Sequence, residues 1–240
     1  MRLILCENYD EMSKKCTELI AGLMHLKPKC VLGLATGSTP VGVYERLSEL
    51  YKNGDLDFSE VKTFNLDEYY PLEANNSQSY HTFMQENLFS KVNLKPENTH
   101  LLDGMANDPD SECADFEKMI AETDGIDLQL LGIGRNGHIG FNEPEESLYT
   151  NTHVTNLTES TIEANARFFN SMDEVPTKAL TMGIATILKS KKIVIMANGK
   201  AKHEAVSALL NDRITTACPA TMLKLHPDVV LICDKEAYEG

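Results

Sequence analysis

The chain has 240 residues, 42% of them hydrophobic and 24% charged, with a formal net charge of −14. That balance fits one large globular α/β unit rather than a disordered or fibrous chain, and it argues against nucleic acid as a partner, because binding a phosphate backbone takes a basic face. No run approaches the length needed to span a bilayer, the N-terminus enters strand-like sequence without a signal-peptide pattern, and the six cysteines are scattered with no C-x-x-C spacing, so the expected home is a reducing cytoplasm, with no disulfide framework and no zinc site.

In chain order, Leu3-Ile4-Leu5 reads as a strand, followed by a helix from about Tyr9 to Met24 with Met12, Cys16, Leu19, Ile20 and Leu23 at helical spacing. Val31 to Leu34 is a predicted strand and Val41 to Tyr51 a helix. Val61 to Phe64 is a strand, then come a polar loop and a helix from about Ser79 to Leu88. A helix from about Ser111 to Ile120 leads into the apolar run Ile126 to Leu131, which reads as a buried strand despite Asp127 and Gln129. A helix over Thr181 to Lys189, the strand Ile193 to Met196, a helix over Lys202 to Leu210 and the strand Val229 to Ile232 complete the pattern, with Lys189, Lys191 and Lys192 in a solvated turn. Strand–helix alternation with continuously apolar strands predicts an α/β fold. The expected form is a doubly wound, mainly parallel sheet with helices on both faces, Rossmann-like, as a single domain over residues 1–240.

Three loops each begin where a predicted parallel strand ends: Thr36 to Pro40, Leu66 to Tyr70 and Gly134 to Glu143. Open α/β sheets bind ligands outside the carboxyl ends of their strands, so the three can converge on one crevice. In Thr36-Gly37-Ser38-Thr39-Pro40, Thr39 is a natural N-cap and Pro40 suits the first helical position. Free amides there make an anion site, although a capped helix without a ligand reads equally well; no G-K-[ST] follows, so this is not a Walker A loop. Asp67 and Glu68 are adjacent carboxylates. They read either as a surface acidic pair or, after an apolar strand, as partly buried acids with a raised pKa suited to proton transfer.

The third loop and the strand end before it carry four glycines, Gly132, Gly134, Gly137 and Gly140, around one imidazole. The first three spell G-x-G-x-x-G after a strand, yet Gly140 and Pro144 interrupt the helix that a dinucleotide fingerprint requires. A purely structural glycine turn is the other bland reading. What favours a catalytic loop is the trio Asn136, His138 and Glu143, since a carboxylate folded back onto one imidazole nitrogen leaves the other for proton transfer.

The run Asn136-Gly137-His138-Ile139-Gly140-Phe141-Asn142-Glu143-Pro144 resembles the active-site signature of glucosamine-6-phosphate deaminases. Thr63 to Tyr69 and Gly33 to Pro40 resemble two further motifs of that family, and the likeness runs from Met1 to about Asp234. The resemblance implies a fold of the deaminase/phosphogluconolactonase type and a hydrolase of amino-sugar catabolism, in N-acetylglucosamine degradation. It turns glucosamine 6-phosphate into fructose 6-phosphate and ammonia. In that reading His138, oriented by Glu143 and Asn136, opens the pyranose, and Asp67 moves a proton from C2 to C1. Thr36, Gly37, Ser38 and Thr39, with Arg167 and Lys202, hold the phosphate; Lys200 ranks behind Lys202. It further implies no metal or organic cofactor, a small-molecule substrate as the partner, and a monomer or small homo-oligomer.

Asn136 stands where many relatives carry an aspartate, which reduces its role to hydrogen bonding. No Lys or Arg lies between Arg135 and Arg167, and the chain stops soon after its last strand, so the expectation is an enzyme without allosteric activation. A lid around Leu157 to Pro176 is a weaker expectation. Two rivals remain. A 6-phosphogluconolactonase-like hydrolase would typically continue toward Ser-Leu-Phe-Pro where this chain has Phe141-Asn142-Glu143-Pro144. A sugar-phosphate-sensing domain of a transcription regulator would need a DNA-binding helix-turn-helix that finds no room here.

Overall fold

The computed structural model describes residues 1–158, 162 and 175–240. The elements run β1 (Arg2–Cys6), α1 (Tyr9–Leu26), β2 (Val31–Leu34), α2 (Val41–Lys52), β3 (Lys62–Asn65), β4 (Asp67–Tyr70), α3 (Tyr80–Asn87), β5 (Thr99–His100), α4 (Pro109–Glu122), β6 (Leu128–Gly132), β7 (His153–Asn156), β8 (Lys178–Thr181), α5 (Ile184–Leu188), β9 (Ile193–Ala197), α6 (His203–Leu210), β10 (Val229–Asp234) and α7 (Lys235–Glu239). Arg167 and most of the segment expected as a lid lie outside the described residues.

Seven strands form a parallel sheet in the order β1-β10-β9-β6-β2-β3-β5. Period-two alternation splits each central strand between two apolar layers. On β9, Ile193 and Ile195 join one layer and Val194 and Met196 the other; on β10, Val229 and Leu231 oppose Val230 and Ile232. One layer takes Met12 and Ile20 of α1, Tyr44 and Leu47 of α2 and Met84 of α3. The other takes Phe116 of α4, Ile187 of α5, Val206 of α6 and Ala237 of α7. Helices on both faces are why these strands are apolar throughout. Full burial of each large side chain contributes roughly 1.5–3 kcal/mol, so the doubly covered sheet is the rigid base on which the loops stand.

The chain leaves β2 toward β3 and leaves β6 toward β9, on opposite sides. The two loops part there and open a crevice above the strand ends, the place where such sheets bind ligands.

A second, three-stranded antiparallel sheet, β4-β8-β7, was not legible in the sequence. The expected polar loop after β3 is strand β4. The expected helix from Thr181 starts instead at Ile184, because Thr181 pairs with Asp67 on one side and His153 on the other. Tertiary pairing overrides the local helical spacing. The N-cap of α2 is Pro40 rather than Thr39, whose hydroxyl lies 3.3 Å from Asn198 Oδ1 instead. Asp127 sits in β6's approach because its carboxylate accepts from the Val31 N–H at 2.8 Å and pairs with Lys27 at 2.7 Å and Lys191 at 3.0 Å. The expected solvated turn at Lys189 to Lys192 is present, and from it Lys191 also pairs with the buried Asp127 and Lys192 with Asp228.

Candidate active site

The loop after β2 is tied down from behind. Tyr9 donates its hydroxyl to the carbonyls of Ser38 and Thr39, both at 3.1 Å, and Tyr44 donates to the Ala35 carbonyl. Gly37 turns the chain at φ +88°. With the carbonyls engaged, the N–H groups of Gly37, Ser38 and Thr39 have no acceptor among the described residues. They stand beside the start of α2, an arrangement suited to an anion.

Asp67 opens β4 directly after β3 and is only 6% exposed. Burial, with the Glu68 charge beside it, pushes its carboxyl up to about 8. Glu68 points the other way along the strand and accepts three backbone N–H bonds, from Tyr69 and Tyr80 at 2.9 Å and His81 at 3.0 Å. Burial raises Glu68 to about 6 against the pull of those amides. Because Tyr80 and His81 begin α3, Glu68 anchors that helix start to β4. The tyrosine so placed reaches the crevice, where its hydroxyl is hydrogen-bonded to the side chains of Tyr69 and Thr36. Its ring stacks with Phe141 at 6.2 Å.

In the loop after β6, the Gly134 N–H donates to the His138 carbonyl at 2.9 Å and closes a tight turn. The imidazole lies flat on Gly134, where a Cβ would come within 2.4 Å of ring atoms. Gly137 has φ +83°, and a Cβ there would meet Cys218 Sγ at 2.2 Å. The expected cost of Gly137→Ala is on the order of 1–3 kcal/mol from backbone strain, plus the clash. Thermal denaturation should show the drop, partly relieved when combined with Cys218→Ala; an unchanged melting temperature for the single variant would contradict this packing.

The polar trio is assembled as follows. His138 Nδ1 lies 3.1 Å from Glu143 Oε1. Asn136 donates its amide to Glu143 Oε2 at 2.7 Å, and its Oδ1 accepts from the His138 N–H at 3.2 Å. Glu143 is 8% exposed, and the His138 side chain is one-third open to the crevice. The loop also meets Asp67: a Cβ at Gly140 would lie 3.4 Å from Asp67 Oδ2 and 2.8 Å from Thr181 Oγ1. Thr181 holds this crossing by accepting the Phe141 N–H at 3.1 Å.

A cavity of about 870 Å³ is lined by Thr36, Gly37, Ser38, Thr39, Asp67, Asn136, His138, Glu143 and Lys202. The candidate residues of three separate loops thus surround one space, and only Arg167 lies outside the described residues. Lys202, at the start of α6, is partly buried, and its ammonium is depressed by that burial and by the neighbouring Arg135 charge. Sequence reasoning missed Tyr69, Tyr80 and Phe141 as wall residues and gave Arg135 no role. Nothing local marks the aromatics, since Tyr69 comes from β4, Tyr80 from α3 and Phe141 from the loop after β6, and their rings meet only in the fold. Among the described residues, no group of three or more His, Cys, Asp or Glu side chains is placed to hold a metal ion.

A family model described as glucosamine-6-phosphate isomerases/6-phosphogluconolactonase matches residues 7–231. A glucosamine-6-phosphate deaminase of Halothermothrix orenii is 55% identical over 237 residues, covering 99% of this chain and 98% of the relative. One from Thermoanaerobacter pseudethanolicus is 56% identical over 237 residues, covering 99% and 94%. Among solved structures, a monomeric glucosamine-6-phosphate deaminase superposes with a TM-score of 0.95 at 46% identity, covering 99% of this chain and 98% of that one. A 6-phosphogluconolactonase from Thermotoga maritima shares the fold, with a TM-score of 0.78 at 23% identity and coverage of 98% and 99%.

Proposed function

The chain belongs to the glucosamine-6-phosphate isomerase/6-phosphogluconolactonase family and, within it, to the glucosamine-6-phosphate deaminases. From that premise we propose that it converts glucosamine 6-phosphate and water into fructose 6-phosphate and ammonia. In this reading Asp67 and His138 act on the sugar within the one cavity, and the Thr36–Thr39 loop and Lys202 hold the phosphate. The observation that carries this division of labour is the shared cavity, in which an anion site, a buried carboxyl and a carboxylate-backed imidazole all face the same space.

Glu143 beside Nδ1 favours the proton on that nitrogen, which leaves Nε2 of His138 to accept one. Nε2 takes the proton of the anomeric hydroxyl and returns one to the ring oxygen, so that the pyranose opens to the aldehyde. Asp67 removes the C2 proton while the aldehyde oxygen takes one from the substrate's own C2 ammonium, giving an enolamine. Delivery of the proton from Asp67 to C1 leaves an iminium at C2. Water adds there, and ammonia departs as the C2 carbonyl forms. Each proton removed is returned to the same sugar, so the chemistry is isomerisation coupled to hydrolysis of a carbon–nitrogen bond. Burial suits Asp67 to the task, because a carboxyl raised to about 8 holds a proton between removal and return at neutral pH. Asn136 and Glu143 act on the ring through its orientation.

The same reading makes this a soluble enzyme of the cytoplasm; its six cysteines are free and buried, in keeping with a reducing compartment. The deciding experiment offers glucosamine 6-phosphate and 6-phosphogluconolactone to the purified chain in parallel. Ammonia and fructose 6-phosphate are expected in equal amounts from the first, with no hydrolysis of the second above its spontaneous rate. Lactone hydrolysis without ammonia release would overturn the proposal in favour of the lactonase branch, and turnover of neither substrate would favour a sensing domain.

A further inference from the structure

We propose that Arg135 is a further substrate-binding residue, a guanidinium that closes the phosphate end of the cavity between Lys202 and the Thr36–Thr39 loop. The inference rests on the phosphosugar reading above and assigns a contact that reading does not contain.

Strand order puts Arg135 there. β9, β6 and β2 are neighbours in that sequence across the sheet. Lys202 follows β9, Arg135 follows β6, and Thr36–Thr39 follow β2, so the arginine occupies the middle of three adjacent strand ends. Its backbone is held by the turn in which Gly134 donates to the His138 carbonyl at 2.9 Å and Gly137 donates to the Gly134 carbonyl at 3.1 Å. All three groups line the same cavity.

Charge supports the assignment. Neither Arg135 nor Lys202 has an ion-pair partner among the described residues, in a chain where acidic side chains outnumber basic ones by 36 to 22. Burial and the Arg135 charge together depress the Lys202 ammonium. Two neighbouring cations, neither with an ion-pair partner among the described residues, repel each other before a ligand binds. The repulsion turns to attraction when a phosphate dianion lies between them. A guanidinium fork fits two phosphate oxygens at once, whereas lysine supplies a point charge. The competing reading is an exposed arginine that is simply solvated.

Wild type, Arg135→Gln and Arg135→Lys decide between them through two measurements: steady-state kinetics with glucosamine 6-phosphate, and calorimetric titration with inorganic phosphate. Arg135→Gln is expected to raise KM about tenfold and weaken phosphate binding by a similar factor, the loss of one charge-assisted contact. kcat should stay within about twofold, because the contact exists in ground and transition states alike. Arg135→Lys should recover part of the affinity, and added salt should weaken phosphate binding more steeply in wild type than in Arg135→Gln. KM and phosphate affinity within about twofold of wild type in Arg135→Gln, or a loss confined to kcat, would overturn the proposal. Phosphate titration needs no turnover. A wild type that bound phosphate without releasing ammonia would sink the deaminase reading while leaving the Arg135 comparison decisive.

Discussion

Replacing Asp67 with Asn is expected to lower kcat by about 10³-fold, with KM for glucosamine 6-phosphate close to that of wild type. The amide keeps the size and the polar surface of the carboxyl but cannot carry a proton from C2 to C1. The pH profile provides a second reading. The base must be ionised to act, and burial beside Glu68 has pushed Asp67 up to about 8 in the free enzyme. kcat/KM of wild type should therefore climb as pH rises through that region, far above the ordinary carboxylate range near 4, and the residual activity of Asp67→Asn should lack this limb. Wild-type kcat in the variant would remove Asp67 from the mechanism.

The same shift makes a stability prediction of opposite sign. The folded-state pKa of Asp67 lies above its unfolded value, so the protonated carboxyl is the form compatible with burial. Its contribution is fully present below about pH 4 and is lost as pH rises through about 8, where the carboxylate must ionise in a dry site. Asp67→Asn removes that cost. The variant should melt at a higher temperature than wild type at pH 8 to 9 and show no such gain near pH 4, measured by thermal denaturation across pH. An inactive but stabilised protein is what a strained catalytic carboxyl predicts; equal melting at all pH values would count against the burial argument.

His138→Gln is the second large effect, with an expected fall in kcat of about 10²–10³-fold. Glutamine can hydrogen-bond at the anomeric end but cannot pass a proton between two sugar oxygens. Glu143→Gln should cost a comparable factor, since Glu143 acts through the ring it faces at 3.1 Å and through Asn136 at 2.7 Å. The double variant should be little worse than His138→Gln alone, because residues acting as one unit are not additive. Multiplicative losses in a double-mutant cycle would show that Glu143 works on the substrate independently of the imidazole.

Residues whose role is decided by neighbours along the chain were the readable ones. β9 and β10 announced themselves because a strand covered on both faces must be apolar at every position, and that is visible in Ile193 to Met196 and Val229 to Ile232. The glycine-rich turn before His138 was equally plain, and its bends leave Glu143 facing the ring. The β4-β8-β7 sheet escaped because Asp67-Glu68-Tyr69-Tyr70 has no alternation of its own; it becomes a strand only when Lys178–Thr181 lies alongside. Thr181 looked like the first turn of a helix for the same reason.

The order of residues by itself determined the doubly wound sheet, the glycine turns and the identity of the groups able to move protons or hold an anion, because these depend on periodicity, backbone freedom and side-chain chemistry. The tertiary structure alone decided which of two adjacent acids is the strained one. Glu68 accepts three backbone N–H groups, two of them at the start of α3, whereas Asp67 is buried at the cavity wall beside the Glu68 charge, so their ionisation parts company. It alone also brought Arg135, Lys202 and the Thr36–Thr39 loop to one cavity, since electrostatic coupling depends on distance through space, and these residues are far apart along the chain.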